Sequence, residues 1–452
     1  MTRLLLKPLG LAIGLALALP VQAENLIQVY EKALENDATL RAAQQNRLAV
    51  FEAMPQAKAA VLPGISASGQ LSRNHVQDRS SANNDYSYNN KQLQLQLTQT
   101  LYNRAQFLQL DLAETQTRQA DIDYSAAEQD LLLRVSEAYF NVLKANSQLQ
   151  LARADLAAVQ RQLEQAEKRF EVGLIAITDV ADAKASYDQS SALVITSENQ
   201  VNNAQAALAT LTGIDYKRLA DVRTDIETPA PEPRDMHKWV ETALEQNLKV
   251  RSAEIGNDIA RQGIELQRSG HYPTVNLNAS YGYQDTNLMG RDIDQLTPSI
   301  GVQLSVPLYT GGAVGSKTRE ATYRFQEAQD KLEGLRRDTR RQTEDAYRGV
   351  LTNISSINAY RQAVESARTK LAATEAGYEV GTRTIVDVLN AERAVFSAMR
   401  DYLNARYDYL LTNLRLKSAS GQLAPQDLNA VNSLLEEREI NPLIAPLMKS
   451  EG

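Results

Sequence analysis

The chain has 452 residues, no cysteine, three histidines and a formal net charge of −7 at pH 7. Absent Cys excludes disulfide frameworks, thiolate-held zinc, iron–sulfur clusters, thiol nucleophiles and a lipid attached through an N-terminal Cys, and His75, His237 and His271 are too scattered for a histidine metal site. A pI near 5.3 argues against an electrostatic nucleic-acid binder, and a mean hydropathy of −0.38 suggests a soluble protein at first sight.

Arg3 and Lys7 precede an apolar run over residues 9–19, followed by Pro20 and Val21-Gln22-Ala23. A basic start, a short apolar core and a small-residue cleavage site predict a secretory signal peptide over 1–23. An uncleaved anchor is the alternative, but the run falls short of the ~20 residues that a span requires. No other apolar stretch is long enough, so any contact with a bilayer is expected without a transmembrane helix.

The rest of the chain repeats itself. Ala138-Tyr139 recurs as Ala346-Tyr347, Glu171-Val172-Gly173 as Glu379-Val380-Gly381, Asp179-Val180 as Asp387-Val388 and Gly213 as Gly421, each at an offset of 208. Upstream, Leu97 and Tyr102 match Leu304 and Tyr309 at 207, and Pro63 matches Pro273 at 210. The expected organisation is a first structural repeat over 24–213, a linker over 214–234, a second repeat over 235–421 and a C-terminal segment over 422–452.

Each copy reads as helix, two strands, long helix, turn and returning helix. Residues 91–103 alternate Leu93, Leu95 and Leu97 with Gln92, Gln94 and Gln96, and residues 299–309 alternate Ile300, Val302, Leu304, Val306 and Leu308 with Gly301, Gln303 and Ser305. Their partners carry Ile65, Ala67, Gly69 and Leu71, or Val275, Leu277, Ala279, Tyr281 and Tyr283, with polar loops expected over 77–90 and 285–295. From Arg104 no Pro or Gly intervenes before Gly173, which predicts a helix roughly 100 Å long. It carries heptad seams through Val135, Val142 and Leu149 and through Ala138, Ala145 and Ala152. The returning helix continues them at Val180, Tyr187, Val194, Val201 and Leu208, and the second copy does the same from Val350 and from Val388.

Strands of this length, apolar on one face and Gln/Ser/Thr/Asn-rich on the other, fit a membrane barrel, with a soluble sandwich as the competing reading. Four strands leave two edges, which lipid does not tolerate, so copies must combine: two would give eight strands and three would give twelve. The long helices would then continue the barrel as a hollow cylinder. Tyr102, Tyr272, Tyr281, Tyr283 and Tyr309 lie at or near strand ends, as interfacial girdles do.

Three segments carry a resemblance. Gly377-Tyr378-Glu379-Val380-Gly381-Thr382-Arg383-Thr384-Ile385-Val386-Asp387-Val388-Leu389, with its first-copy partner over 170–180, resembles the helix–helix turn of the TolC outer-membrane efflux and secretion family. Val306-Pro307-Leu308-Tyr309-Thr310-Gly311-Gly312 and Ser418-Ala419-Ser420-Gly421-Gln422-Leu423 are two further hallmarks. The resemblance covers essentially the whole mature chain. It implies an α+β membrane protein whose four strands per chain contribute to a trimeric 12-stranded barrel, continued by an α-helical coiled-coil tunnel in the periplasm. A mixed belt is expected from 214–234 and from the tail after Gln422. The implied partners are two further copies, a periplasmic adaptor, an inner-membrane ABC or RND-type transporter and outer-membrane lipid. No cofactor, enzyme activity or nucleic acid is implied. A periplasmic coiled-coil scaffold without a pore is the main alternative, and a secreted hydrolase is weaker.

Gly173 and Gly381 are expected to end the long helices in the left-handed conformation, with Thr178 or Asp179, and Asp387, capping the returning helices. By position, the resemblance also implies a periplasmic gate of Tyr378 and Arg383 against Thr178 and Asp179, with Gln162 a further member, and a lumen selectivity ring at Asp387. A second acid would be expected one turn on, but this chain has Asn390, whose first-copy equivalent is Asp182. Weaker block by multivalent cations is therefore expected. Gly311-Gly312-Ala313-Val314-Gly315-Ser316-Lys317 has the wrong order for a phosphate loop, since Ser precedes Lys, and is read as a bend from strand into helix.

Overall fold

The structure is a computed structural model; the residues described are 23–77, 86–216, 218–288, 291–438 and 441–445. The expected signal peptide falls on residues outside these, apart from Ala23.

The elements are α1 (Leu26–Asn36), α2 (Ala38–Phe51), α3 (Ala53–Val61), β1 (Gly64–Val76), β2 (Tyr86–Asn103), α4 (Arg104–Glu171), α5 (Ile177–Thr212), β3 (Asp221–Val222), α6 (Met236–Gln246), α7 (Leu248–Arg268), β4 (Thr274–Leu288), β5 (Arg291–Ser305), α8 (Ala313–Glu379), α9 (Ile385–Ala419), α10 (Pro425–Asn432) and β6 (Leu435–Glu436). The order helix, hairpin, long helix, returning helix occurs twice. No helix among the described residues is both long and apolar enough to cross a membrane.

The 68 residues of α4 and the 67 of α8 make rods about 100 Å long at 1.5 Å per residue. Each packs against its returning helix, α4 on α5 and α8 on α9, while α7 lies against both long helices. The heptad seams supply the contact. Val135, Val142, Ala152, Val159 and Ala166 are buried on α4, as are Val350, Ile357 and Val364 on α8 and Val388, Val395, Tyr409 and Leu416 on α9. Small residues at Ala183, Ser190 and Ser197 line the buried face of α5. The thickest part of the core lies midway along the rods, where Tyr139 and Phe140 meet edge to face and Phe140 packs against Tyr407.

The four long strands form one antiparallel sheet in the order β1-β2-β4-β5, so the two hairpins join through β2 and β4. Two boundaries differ from the sequence reading. The hairpins continue through most of the segments expected to be polar loops: β2 begins at Tyr86, β4 runs to Leu288 and β5 starts at Arg291. Polar residues hold this extension across the strands, Lys91 to Asp285 at 2.9 Å, Tyr283 to Asp294 at 2.7 Å and Asn287 to Asp292 at 2.6 Å. Residues 78–85 and 289–290, the remainder of those loops, lie outside the described residues. At the other end β5 stops at Ser305 rather than Tyr309, because Pro307 has no N–H to give a ladder. Val306, Leu308 and Tyr309 instead form an exposed connection, and left-handed Gly311 and Gly312 turn it into α8.

The segments after the returning helices meet. β3 pairs antiparallel with β6, Asp221 opposite Glu436 and Val222 opposite Leu435, bringing the linker and the C-terminal segment together beside the middle of the rods.

Candidate functional site: an amphipathic sheet and the two helix turns

Register explains the sheet's chemistry. Ile65, Leu97, Ala279 and Ile300 stand in one row across the strands, Ala67, Leu95, Tyr281 and Pro298 in the next, and Gly69, Leu93, Tyr283 and Leu296 in a third. Because neighbouring residues point to opposite faces, the other face carries Ser66, Gln96, Ser280 and Ser299 and, further along, Gln70, Gln92, Gln284 and Gln295. Among the described residues no other element covers the apolar rows: Ile65 is 72% exposed and Ile300 77%. The outer strands β1 and β5 each have one long side without a partner among the described residues. A contiguous apolar face of this size bounded by open edges does not persist in water.

At the far end of the rods are the two turns. Gly173 and Gly381 have φ of +76° and +77°. In each, the glycine N–H and the next N–H reach back to the helix end: Gly173 to the Phe170 carbonyl and Leu174 to Arg169, Gly381 to Tyr378 and Thr382 to Gly377. This left-handed closure is the one expected of both glycines.

The returning helices start differently. α9 is capped by Thr384, whose hydroxyl accepts from the Asp387 N–H at 3.3 Å, while the Asp387 carboxylate accepts from the Thr384 N–H at 3.0 Å. Asp387 is therefore the third residue of a capping box rather than the cap itself. Hydrogen bonds from Thr384 hold its carboxyl below the usual range, with Arg383 and Lys370 adding their charge. In α5 the cap position is Ala176, with no side-chain cap, so neither Thr178 nor Asp179 caps that helix. The difference is one residue: Thr384 has alanine as its equivalent, which leaves the Asp179 carboxylate without a hydrogen bond among the described residues.

Tyr378 does join the two turns, but through another partner. Its ring packs with Tyr187 against Val159, Ile385 and Leu389, and the Arg169 guanidinium lies 4.6 Å from its centroid. This cation–π contact ties the end of α4 to the end of α8. The Tyr378 hydroxyl is buried with no hydrogen-bond partner. Arg383 is exposed and its backbone N–H reaches the Gly377 carbonyl at 3.2 Å; among the described residues no hydrogen bond or ion pair joins it to Asp179 within the protomer. Gln162 is half-buried on α4, and Thr178, Asp182 and Asn390 are exposed. Sequence reading passed over Arg169 and Thr384; the capping pattern Thr384-x-x-Asp387 was the available signal for the second.

The outer membrane efflux protein family matches the chain twice, over residues 29–214 and 239–422. Outer membrane protein TolC of Vibrio cholerae serotype O1 is 40% identical over 438 residues, covering 95% of this chain and 98% of that protein. The alkaline protease secretion protein AprF of Pseudomonas aeruginosa is 31% identical over 90% of this chain and 87% of its own length. Among solved structures, the CmeC outer membrane channel of Campylobacter jejuni superposes with a TM-score of 0.79 at 18% identity, covering 91% of this chain and 89% of that one, a likeness of fold.

Proposed function

The chain belongs to the outer membrane efflux protein family, and on that premise we infer that three copies form the passive exit duct of a tripartite efflux pump or type I secretion system. It is an outer-membrane channel for efflux and type I secretion whose helices extend into the periplasm. The trimer is our reading, and one observation carries it: an uncovered apolar sheet face between two open edges. Pairing β5 of one copy with β1 of the next removes the edges, places the apolar rows in lipid and turns the Gln/Ser face to an aqueous lumen. Three copies give a twelve-stranded barrel, wide enough for a lumen where eight strands would fill with their own side chains. The repeat boundaries at 24–213 and 235–421, with a belt from 214–234 and 422–452, follow the same reading.

At the periplasmic end we assign the gate to Tyr378 and Arg383 against Thr178, Asp179 and Gln162, and the selectivity ring to Asp387, with Asn390 beside it. Among the described residues, neither the Asp179 carboxylate nor the Arg383 guanidinium has a hydrogen-bond or ion-pair partner in its own protomer, which suits a link to a neighbouring copy. A charge-assisted link of this kind holds a mouth closed yet yields to a docking protein. An adaptor would bias it open, with energy supplied by an inner-membrane ABC or RND-type transporter.

Conductance in planar bilayers tests the reading. Wild-type protein is expected to give a small, steady current, and the Arg383→Ser, Tyr378→Phe double variant a severalfold larger one. Silence from both would defeat the channel.

The ring gives a second expectation. Asn390→Asp adds one carboxylate per copy near Asp387, and block by a trivalent, six-coordinate cobalt(III) complex should tighten roughly tenfold, about 1.4 kcal/mol. Equal block in variant and wild type would remove Asn390 from the lumen.

A further inference from the structure

Two carboxylates are buried where the α4–α5 helix pair meets α9. Asp155 on α4 and Glu392 on α9 are 6% and 7% exposed. The Ser190 hydroxyl of α5 donates to one Asp155 oxygen at 2.6 Å. The other, Oδ1, and Oε2 of Glu392 are buried and accept from nothing. Arg393 of α9 donates to Gln189 at 2.9 Å. Arg393, Asp155 and Ser190 line a cavity of about 440 Å³ beside the seam. Val159 is one turn beyond Asp155 and Leu389 lies three residues before Glu392, so the pair adjoins the apolar cluster that joins the two turns. Two acceptor-only groups in such a place are tolerated when they hold a proton, which turns one of them into a donor.

We propose that Asp155 and Glu392 form a proton-operated clasp between the α4–α5 and α8–α9 hairpins, closed while the pair holds a proton and loosened when both carboxylates are charged. The proton leaves to water through the cavity, and the two like charges then repel across the seam. The surroundings favour the protonated form. Burial, then the charges of Asp155 and of Glu375 on α8, push the Glu392 carboxyl up to about 7, with Arg161 of α4 acting the other way. Burial raises Asp155 as well, against the Ser190 hydrogen bond and the Arg393 charge. Burial and Glu379 raise Glu375. α5 brings the uncharged Ser190 to the pair and Tyr187 to the cluster below.

The sign follows from linkage. A carboxyl that titrates at about 7 in the folded chain and near its ordinary 4.5 when unfolded holds extra proton in the folded state between those values. Its stabilisation is complete at the acid end and is lost as pH rises through that window. The seam is tight in acid and loose at and above neutrality. In a channel with its mouth at this end, acid in the periplasm would favour closure; that consequence rests on the reading of the turns as a gate, while the clasp itself does not.

Amide hydrogen exchange of the full-length protein, corrected for intrinsic rates and followed over residues 385–396 at about pH 5 and about pH 8, tests the clasp. Wild type is expected to lose protection roughly tenfold or more between the two, on the scale of one pKa unit or more. Glu392→Gln, which cannot ionise, should stay protected at both, whereas Asp155→Asn, which leaves Glu392 buried beside Glu375, should keep part of the loss. Protection that is flat in wild type, or that falls in Glu392→Gln as far as it does in wild type, overturns the proposal. Bilayer current from the same preparations separates the two readings. Exchange that shifts as expected without any current leaves the clasp standing and defeats the channel, and current with flat exchange does the reverse.

Discussion

Gly421→Ala is expected to destabilise the protein far more than Gly381→Ala, although both glycines close long helices in the same left-handed way. Gly421 has φ of +74°, with its N–H on the Ser418 carbonyl and the Gln422 N–H on Lys417. An alanine in this conformation costs about 1–2 kcal/mol at either position. At Gly381 nothing lies within 4 Å of the added carbon, so that is all. At Gly421 the carbon would sit 2.4 Å from the Gln246 carbonyl oxygen and 2.7 Å from the Asn247 nitrogen, both backbone atoms at the α6–α7 junction. That junction is fixed by Asn247, which caps α7 through Lys249 and Val250 and donates its amide to the Ala419 carbonyl at 2.9 Å. Moving it adds overpacking of about 1–3 kcal/mol, for a total of about 2–5 kcal/mol. Apparent Tm of the two purified variants beside wild type measures the difference. If they match, the close approach at Gly421 yields freely and the argument fails.

The same comparison bears on what a sequence discloses. A constant offset of 208 pairs Gly173 with Gly381 and Gly213 with Gly421; the left-handed closure is legible at Gly173 and Gly381 because that requirement is local, and Gly213 and Gly421 adopt it too. It does not show that only Gly421 abuts another backbone, which depends on where α6 and α7 pack. The apolar halves of the strands are legible for the same local reason, as period-two alternation. Their polar extensions were read as loops, since Lys91, Asp285 and Asp294 give no apolar signal and pair only once the register is known. At the turns, repeat symmetry suggested equal capping for Asp179 and Asp387. Threonine at 384 and alanine at 176 break that symmetry, and one side chain decides which carboxylate is engaged. Arg169 on Tyr378, and Asp155 with Glu392, bring together residues more than 200 positions apart, and helical periodicity along one segment does not reveal which seam meets which.

Asp221→Leu is expected to release the C-terminal segment from the rods while leaving the turns unaffected. The Asp221 carboxylate accepts from the Tyr407 hydroxyl at 2.8 Å, the Val222 N–H at 2.7 Å and the Asn441 amide at 3.0 Å. One side chain thus joins α9, β3 and the tail. Tyr407 is itself buried and bonded to Ser147 of α4 at 2.9 Å, and Tyr139 of α4 donates to the adjacent Ala220 carbonyl at 2.6 Å. Burial raises the Asp221 carboxyl even though Tyr407, Val222, Arg406 and Asn441 all favour its charged form. Leucine fills the space but strands three donors, each worth about 1–3 kcal/mol where it stays dry, so the net loss should be about 2–4 kcal/mol after water reaches the outer ones. Asp221→Asn keeps an acceptor for Tyr407 and should cost about 1 kcal/mol. The discriminating measurement is limited proteolysis after α10. Asp221→Leu should be cut there while its long helices stay resistant, because β3 and β6 share only two residue pairs. A tail as resistant as that of wild type would mean that α10 and buried Ile444, rather than the carboxylate, fasten the belt to the rods.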